Sequence, residues 1–150
     1  MLLEKDLIFT EQNFNNRMEI FKFLNENLIN LGYVKDSFLE GLVDREKNYP
    51  TGLKTSVCGI AIPHTDSIHI KEEKLSILTL KNSVSFENMD GSEDVDVKIV
   101  IMMLIKCGNN QIEMLQKLFT LFTDSKKIEY LKNLVSEEEI IDFFNKEGIK

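Results

Sequence analysis

With 150 residues, 43% of them hydrophobic, the chain is long enough to form one domain, residues 1–150, whose core needs no disulfide or metal staples. Its 18 basic and 25 acidic residues give a formal charge of −7, which excludes the basic footprint of a nucleic-acid binder and suits a basic protein partner. Cys58 and Cys107 stand far apart without CxxC or Cys/His spacing, which argues against a disulfide framework or structural zinc and fits small buried residues in a reducing, cytoplasmic setting.

In chain order, MLLEKDLIFTEQ has neither a basic start nor a long apolar stretch, so no signal peptide is predicted. RMEIFKFLNENLINLG places Met18, Phe21, Leu24, Leu28 and Leu31 on one helical stripe, stopped by Gly32. DSFLEGLVDREKNYP predicts a second helix with Phe38, Leu39, Leu42 and Val43 inside, Ser37 and Glu40 at capping-box spacing, and Pro50 beyond its end. CGIAIP, LSILTL and VKIVIMMLI predict short buried strands; the longest apolar run, IVIMMLI, is too short to cross a bilayer. NNQIEMLQKLFTLFTD follows as a helix capped by Asn109 or Asn110, with Ile112, Leu115, Leu118, Phe119 and Phe122 inside. Two shorter helices close the chain, DSKKIEYLKNLV and SEEEIIDFFNKEG, the second with a Ser136/Glu139 capping box and Gly148 at its end. Strands that are apolar on both faces and alternate with helices predict an α/β fold, a mixed parallel/antiparallel β-sheet flanked by helices on both faces. The loops at the strand ends would then carry the chemistry.

The strand GIAIP runs directly into His64. Pro63 lacks an N–H and has a fixed φ, so it ends the ladder and holds the next residue stiffly. Thr65 and Asp66 add a hydroxyl, a carboxylate and two backbone donors beside the ring. A neutral imidazole can act as a nucleophile through one nitrogen while a hydrogen bond holds the other. Phosphoryl transfer asks mainly for that positioning and for donors to the equatorial oxygens, a task suited to a guanidinium. Arg45 is the candidate, although by spacing alone it reads as a surface arginine paired with Asp44 or Glu46. His69, in SIHIK, reads as an incidental residue at a strand edge. His64, Asp66 and His69 would make a poor metal set without HExxH, and neither a GxxxxGK[ST] nor a GxGxxG loop occurs, so no metal and no cofactor are expected.

REKNYPTGLKTSVCGIAIPHTD, residues 45–66, resembles the active-site region of the enzyme IIA component of the bacterial sugar phosphotransferase system, in its mannitol/fructose (type-2) superfamily. The likeness lies in an Arg-Glu pair, a Thr-Gly-Leu element and an apolar-Pro-His end; it continues through IKCGNNQIEMLQKLFTLFTD and so covers nearly the whole chain. YPTGL, AIPH and SIHIK are most similar to the galactitol-type branch.

The resemblance implies that His64 accepts a phosphoryl group from phospho-HPr as a tele-phosphohistidine and passes it to a cysteine of a cognate IIB. The group then reaches a sugar carried by the membrane component IIC; the sequence does not name the sugar, and galactitol is the one the branch similarity suggests. It implies that Arg45 stabilises the phosphoryl group, with Thr65 and Asp66 in the positions after the histidine. In the mannitol branch a second active-site histidine opens the helix after the long strand; this chain has Gln111 there, which can donate a hydrogen bond but bring no charge. Gln111 is therefore either a replacement for that histidine or a polar residue of the helix's first turn. The implied protein is cytoplasmic, with no nucleic-acid partner and no membrane insertion of its own. The other reading that the resemblance allows is a nitrogen-type or regulatory IIA that signals through its phosphorylation state.

Overall fold

The computed structural model describes residues 1–150. Its strands are β1 (Ile8–Gln12), β2 (Gly52–Lys54), β3 (Gly59–Ala61), β4 (Lys74–Phe86) and β5 (Val95–Leu104). Its helices are α1 (Arg17–Asn30), α2 (Phe38–Asn48), α3 (Gly108–Phe122), α4 (Ser125–Lys132) and α5 (Glu137–Lys146), with 3-10 turns at Lys5–Leu7 and Ser67–His69. The sheet order is β1-β4-β5-β3-β2. β1 pairs with β4 and β3 with β5 in parallel, while β4/β5 and β2/β3 are antiparallel, so the sheet is mixed as the apolar strands predicted.

The continuous apolar run of β5 is explained by two cores, one on each face of the sheet. Ile99, Ile101 and Met103 join one cluster with Leu118, Phe122, Ile128, Ile140 and Phe144 of α3, α4 and α5. Val100, Met102 and Leu104 join the other with Phe21, Leu24, Leu28, Phe38 and Leu42 of α1 and α2. Successive side chains of a strand point to opposite faces, so a strand covered by helices on both sides must be apolar at every position. No helix is long and apolar enough to cross a membrane.

Several predicted details differ. β1 and β2 have no counterpart in the sequence reading, because short strands carry little periodic signal. β4 extends six residues past the apolar LSILTL, through KNSVSF, into a hairpin with β5. In α1, Ile20 is buried while Met18 and Leu31 reach solvent. In α3, Met114 and Leu121 replace Ile112 and Phe119 on the buried face, and Ile112 is 58% exposed. Both sets satisfy a helical spacing; only the sheet decides which faces inward. Cys107 is exposed and Cys58 half-buried, so neither is the core residue expected.

Helix ends follow local chemistry more closely. Ser136 Oγ accepts from the Glu139 N–H at 3.3 Å, as its capping box predicts. Asn16 and Asp124, not singled out in the sequence, cap α1 and α4. α3 begins earlier than expected: Cys107 occupies the N-cap position, with no side-chain cap, in place of Asn109 or Asn110. Gly32 and Gly148 take φ of 80° and 78°, the left-handed conformation that ends α1 and α5 where expected. Ser37 precedes α2 but makes no capping bond.

Candidate functional site

β3 and β5 run parallel, and their C-terminal ends open onto the same edge of the sheet. His64 sits just past β3 and forms an isolated parallel bridge with Met103. The Met103 N–H donates to the Pro63 carbonyl at 3.1 Å, so the backbone on the N-terminal side of His64 is still held by β5. The stiff base that Ile-Pro-His suggested is therefore a real extension of the sheet.

His64 is 8% exposed, and its ring Nδ1 lies 2.8 Å from the Ile62 carbonyl oxygen. A carbonyl can only accept, so Nδ1 carries the proton and Nε2 of the neutral ring keeps its lone pair. Burial lowers the His64 pKa below its ordinary 6.5; the Ile62 hydrogen bond opposes this, the nearby Arg45 charge lowers it further, and the Asp66 carboxylate raises it. The ring is thus held neutral, with the Nε2 lone pair free, at neutral pH.

Burial of His64 also makes stability depend on pH. Between the lowered folded value and 6.5, the unfolded chain binds more protons at His64 than the folded one, so stability rises with pH across that window. It is fully present above 6.5 and is lost as pH falls through the folded value. Urea unfolding of the native protein should show a larger loss of midpoint from about pH 7.5 to about pH 5.5 than His64→Gln shows. Equal losses in the two proteins would contradict the burial effect.

Arg45 is on the last turn of α2. Its Nη1 donates to Asp66 Oδ1 at 3.4 Å, and its Cζ lies 4.9 Å from the centre of the Tyr49 ring. Its Nε is buried and has no hydrogen-bond partner. Arg45 is therefore not paired with Asp44 or Glu46, as spacing alone suggested, but turned toward the segment that follows His64. Tyr49 was not singled out in the sequence, although its place four residues after Arg45 at a helix end was a usable signal.

Glu46 faces the other way. It is 2% exposed and accepts from the Thr51 N–H and hydroxyl, both at 2.7 Å, and burial pushes its carboxyl above the ordinary carboxylate range. It joins the end of α2 to the start of β2, and both of its carboxylate oxygens are engaged there. Thr65 is buried, with its hydroxyl donating to the Asp66 carbonyl at 3.0 Å, so that donor is used locally.

Gln111 lies in the first turn of α3. With Thr65, Asp66, Gly108 and Ile68 it lines a cavity of about 380 Å³, so the fold brings it to the segment after His64. The first backbone bond of α3 runs from Gln111 N–H to the Cys107 carbonyl at 3.0 Å. The N–H groups of Gly108, Asn109 and Asn110 consequently have no partner inside the helix, and the positive end of its dipole opens at this cavity. Three apolar side chains of these segments are exposed: Ile68 at the cavity and Tyr49 beside Arg45, each 66% exposed, and Ile112, which follows Gln111 in α3. The arrangement offers one imidazole nitrogen with a free lone pair, one guanidinium and a helix N-terminus, a set suited to receiving a dianionic group.

Residues 1–147 match the family model described as "Phosphoenolpyruvate-dependent sugar phosphotransferase system, EIIA 2". The chain is 30% identical over 134 residues to the galactitol-specific EIIA component of the phosphotransferase system of Escherichia coli K12, covering 89% of each protein. Among solved structures it is similar to IIA mannitol from Escherichia coli, with 26% identity, a TM-score of 0.78 and coverage of 95% of this chain and 99% of that one. It is also similar to a chain of the complex of enzyme IIAMTL and phosphorylated enzyme IIBMTL from Escherichia coli, with 25% identity, a TM-score of 0.79 and coverage of 96% and 97%.

Proposed function

Because the chain belongs to the EIIA 2 family of the phosphoenolpyruvate-dependent sugar phosphotransferase system, we propose that it is a cytoplasmic, single-domain phosphoryl carrier over residues 1–150, acting between HPr and a cognate IIB. His64 Nε2 attacks the phosphorus of phospho-HPr in line. The Nε2–P bond forms as the donor's N–P bond breaks, and the donor imidazole leaves with the electron pair. Nδ1 keeps its proton, held by the Ile62 carbonyl. The phosphorylated ring therefore carries positive charge beside the N–P bond, which makes it a ready leaving group. In the second transfer a IIB cysteine thiolate attacks phosphorus, the P–S bond forms, and Nε2 recovers its lone pair.

The first step exchanges one N–P bond for another and the second replaces N–P by P–S; both ask for positioning and charge stabilisation more than for covalent help. Arg45 supplies the guanidinium, Gln111 an amide donor, and the α3 N-terminus free N–H groups. The similarity to a galactitol-specific EIIA supports galactitol as the sugar that ultimately receives the group from IIB through IIC. The IIA–IIB complex among the similar structures supports IIB as the acceptor.

The observation that carries this reading is the Nδ1–Ile62 hydrogen bond, which leaves Nε2 with its lone pair. Phosphoenolpyruvate, enzyme I and HPr together should label the protein once, with an acid-labile, base-stable group that maps to His64. A label on His69 or on a serine would contradict the mechanism.

A carrier must meet two partners in turn, which calls for a small apolar patch around the nucleophile and not a permanent interface. Ile68 and Ile112 are placed for that patch. Ile112→Asp should raise the KM for phospho-HPr by about tenfold with little change in kcat, the loss expected from one apolar anchor. An unchanged KM would remove Ile112 from the interface.

A further inference from the structure

We infer that His69 is a positioning residue for phosphoryl transfer, clamping the segment after His64 onto α2 so that Arg45 is held in register with the phosphoryl acceptor. The inference rests on the proposed function and adds a residue to it. Ser37, Gly41 and Arg45 are spaced four apart, so they share one face of α2. The segment Asp66–His69 lies along that face. At one end, Arg45 Nη1 meets Asp66 Oδ1 at 3.4 Å. At the other, His69 Nδ1 lies 2.8 Å from Ser37 Oγ. Between them the His69 ring rests on bare backbone: a Cβ added at Gly41 would come within 2.5 Å of His69 Nε2 and 2.6 Å of Cδ2. The Lys35 N–H also donates to the His69 carbonyl at 2.9 Å, and Ile70 bridges to Val34.

This contact accounts for a feature of α2 that local sequence does not. Ser37 stands at the N-cap position three residues before Glu40, yet it makes no capping bond. Its hydroxyl is turned to His69 instead. The Arg45–Asp66 pair alone would hold the two segments poorly, because it is long and the Asp66 side chain is 74% exposed. α2 is a rigid lever of about 12 Å from Ser37 to Arg45, so releasing one end moves the guanidinium at the other. A shift of about 1 Å at a transferring group is enough to slow a reaction severely.

Single-turnover transfer from phospho-HPr tests the clamp in native protein, His69→Ala, Ser37→Ala, Arg45→Ala and the double variant His69→Ala/Arg45→Ala, with folding checked by thermal unfolding. His69→Ala should slow transfer by about tenfold, and Ser37→Ala should slow it less; added to Arg45→Ala, the His69 change should cost less than about twofold, because the clamp acts through that arginine. His69→Asn, whose amide can reach the Ser37 hydroxyl, should recover part of the rate. Full-speed transfer by His69→Ala, or equal slowing in the presence and absence of Arg45, overturns the proposal. If His69→Ala does not fold, Ser37→Ala decides the matter, and full-speed transfer by that variant overturns it. If native protein and His64→Ala both fail to take up the group, the proposed function falls and the clamp with it; if only His64→Ala fails, the clamp is judged alone.

Discussion

His64→Ala is expected to abolish phosphoryl uptake from phospho-HPr while leaving the protein folded. The substitution deletes the nucleophilic nitrogen, and neither neighbouring candidate replaces it: His69 is bonded to Ser37, and the Thr65 hydroxyl is bonded to the Asp66 carbonyl. The fold should survive, because the bonds that hold the segment are made by backbone, with Met103 N–H on the Pro63 carbonyl and β3 paired to β5. What remains is a small cavity at the edge of the sheet and an Ile62 carbonyl without its donor, a cost of about 1–3 kcal/mol. Quench-flow labelling with phosphoenolpyruvate, enzyme I and HPr measures the first expectation, and thermal unfolding the second. Uptake by His64→Ala at the native rate would exclude His64 as acceptor.

Arg45→Ala should slow transfer by about a hundredfold, the loss typical of removing one donor aimed at developing charge. Arg45→Lys should recover only part of this, since an ammonium brings charge without the planar fork that can keep one N–H on Asp66 while another meets a phosphoryl oxygen. Stability should change little, because the ion pair and the cation–π contact of Arg45 are with Asp66 and Tyr49, both largely exposed. Asp66→Asn provides the control: it weakens the ion pair but leaves the guanidinium, so its effect on the rate should be well below that of Arg45→Ala. Two outcomes would count against the assignment. A globally unfolded Arg45→Ala would make the residue structural, and an equal loss in Asp66→Asn would place the effect in the ion pair and not in the phosphoryl contact.

The helices were legible where chemistry is local. Ser136 caps α5, Gly32 and Gly148 stop α1 and α5, and β5 is apolar on both faces. The short strands β1 and β2 were not legible, since three to five residues with mixed burial hold no clear period. The inward face of α3 was legible only as a choice between two stripes, which the sheet resolves in favour of Met114 and Leu121. At the site, Pro63-His64 announced a rigid histidine, but not which nitrogen is free. That depends on the Ile62 carbonyl folding back to Nδ1, a contact two residues away that no spacing rule predicts. His69 read as a residue of a strand edge, yet it lies in a 3-10 turn and takes the hydroxyl of Ser37 that a capping box would have used.

The sequence by itself therefore determined the class of fold and singled out a candidate histidine and a candidate arginine, because apolar periodicity, proline and a motif of ordered residues are written along the chain. Only the tertiary structure decided the tautomer of His64, the turning of Arg45 toward Asp66 and the arrival of Gln111 at the same cavity as Thr65. Those three depend on groups that meet across the sheet edge, and the geometry of such meetings is set by how β3 and β5 pair and how α2 and α3 pack against them, not by the spacing of residues in one segment.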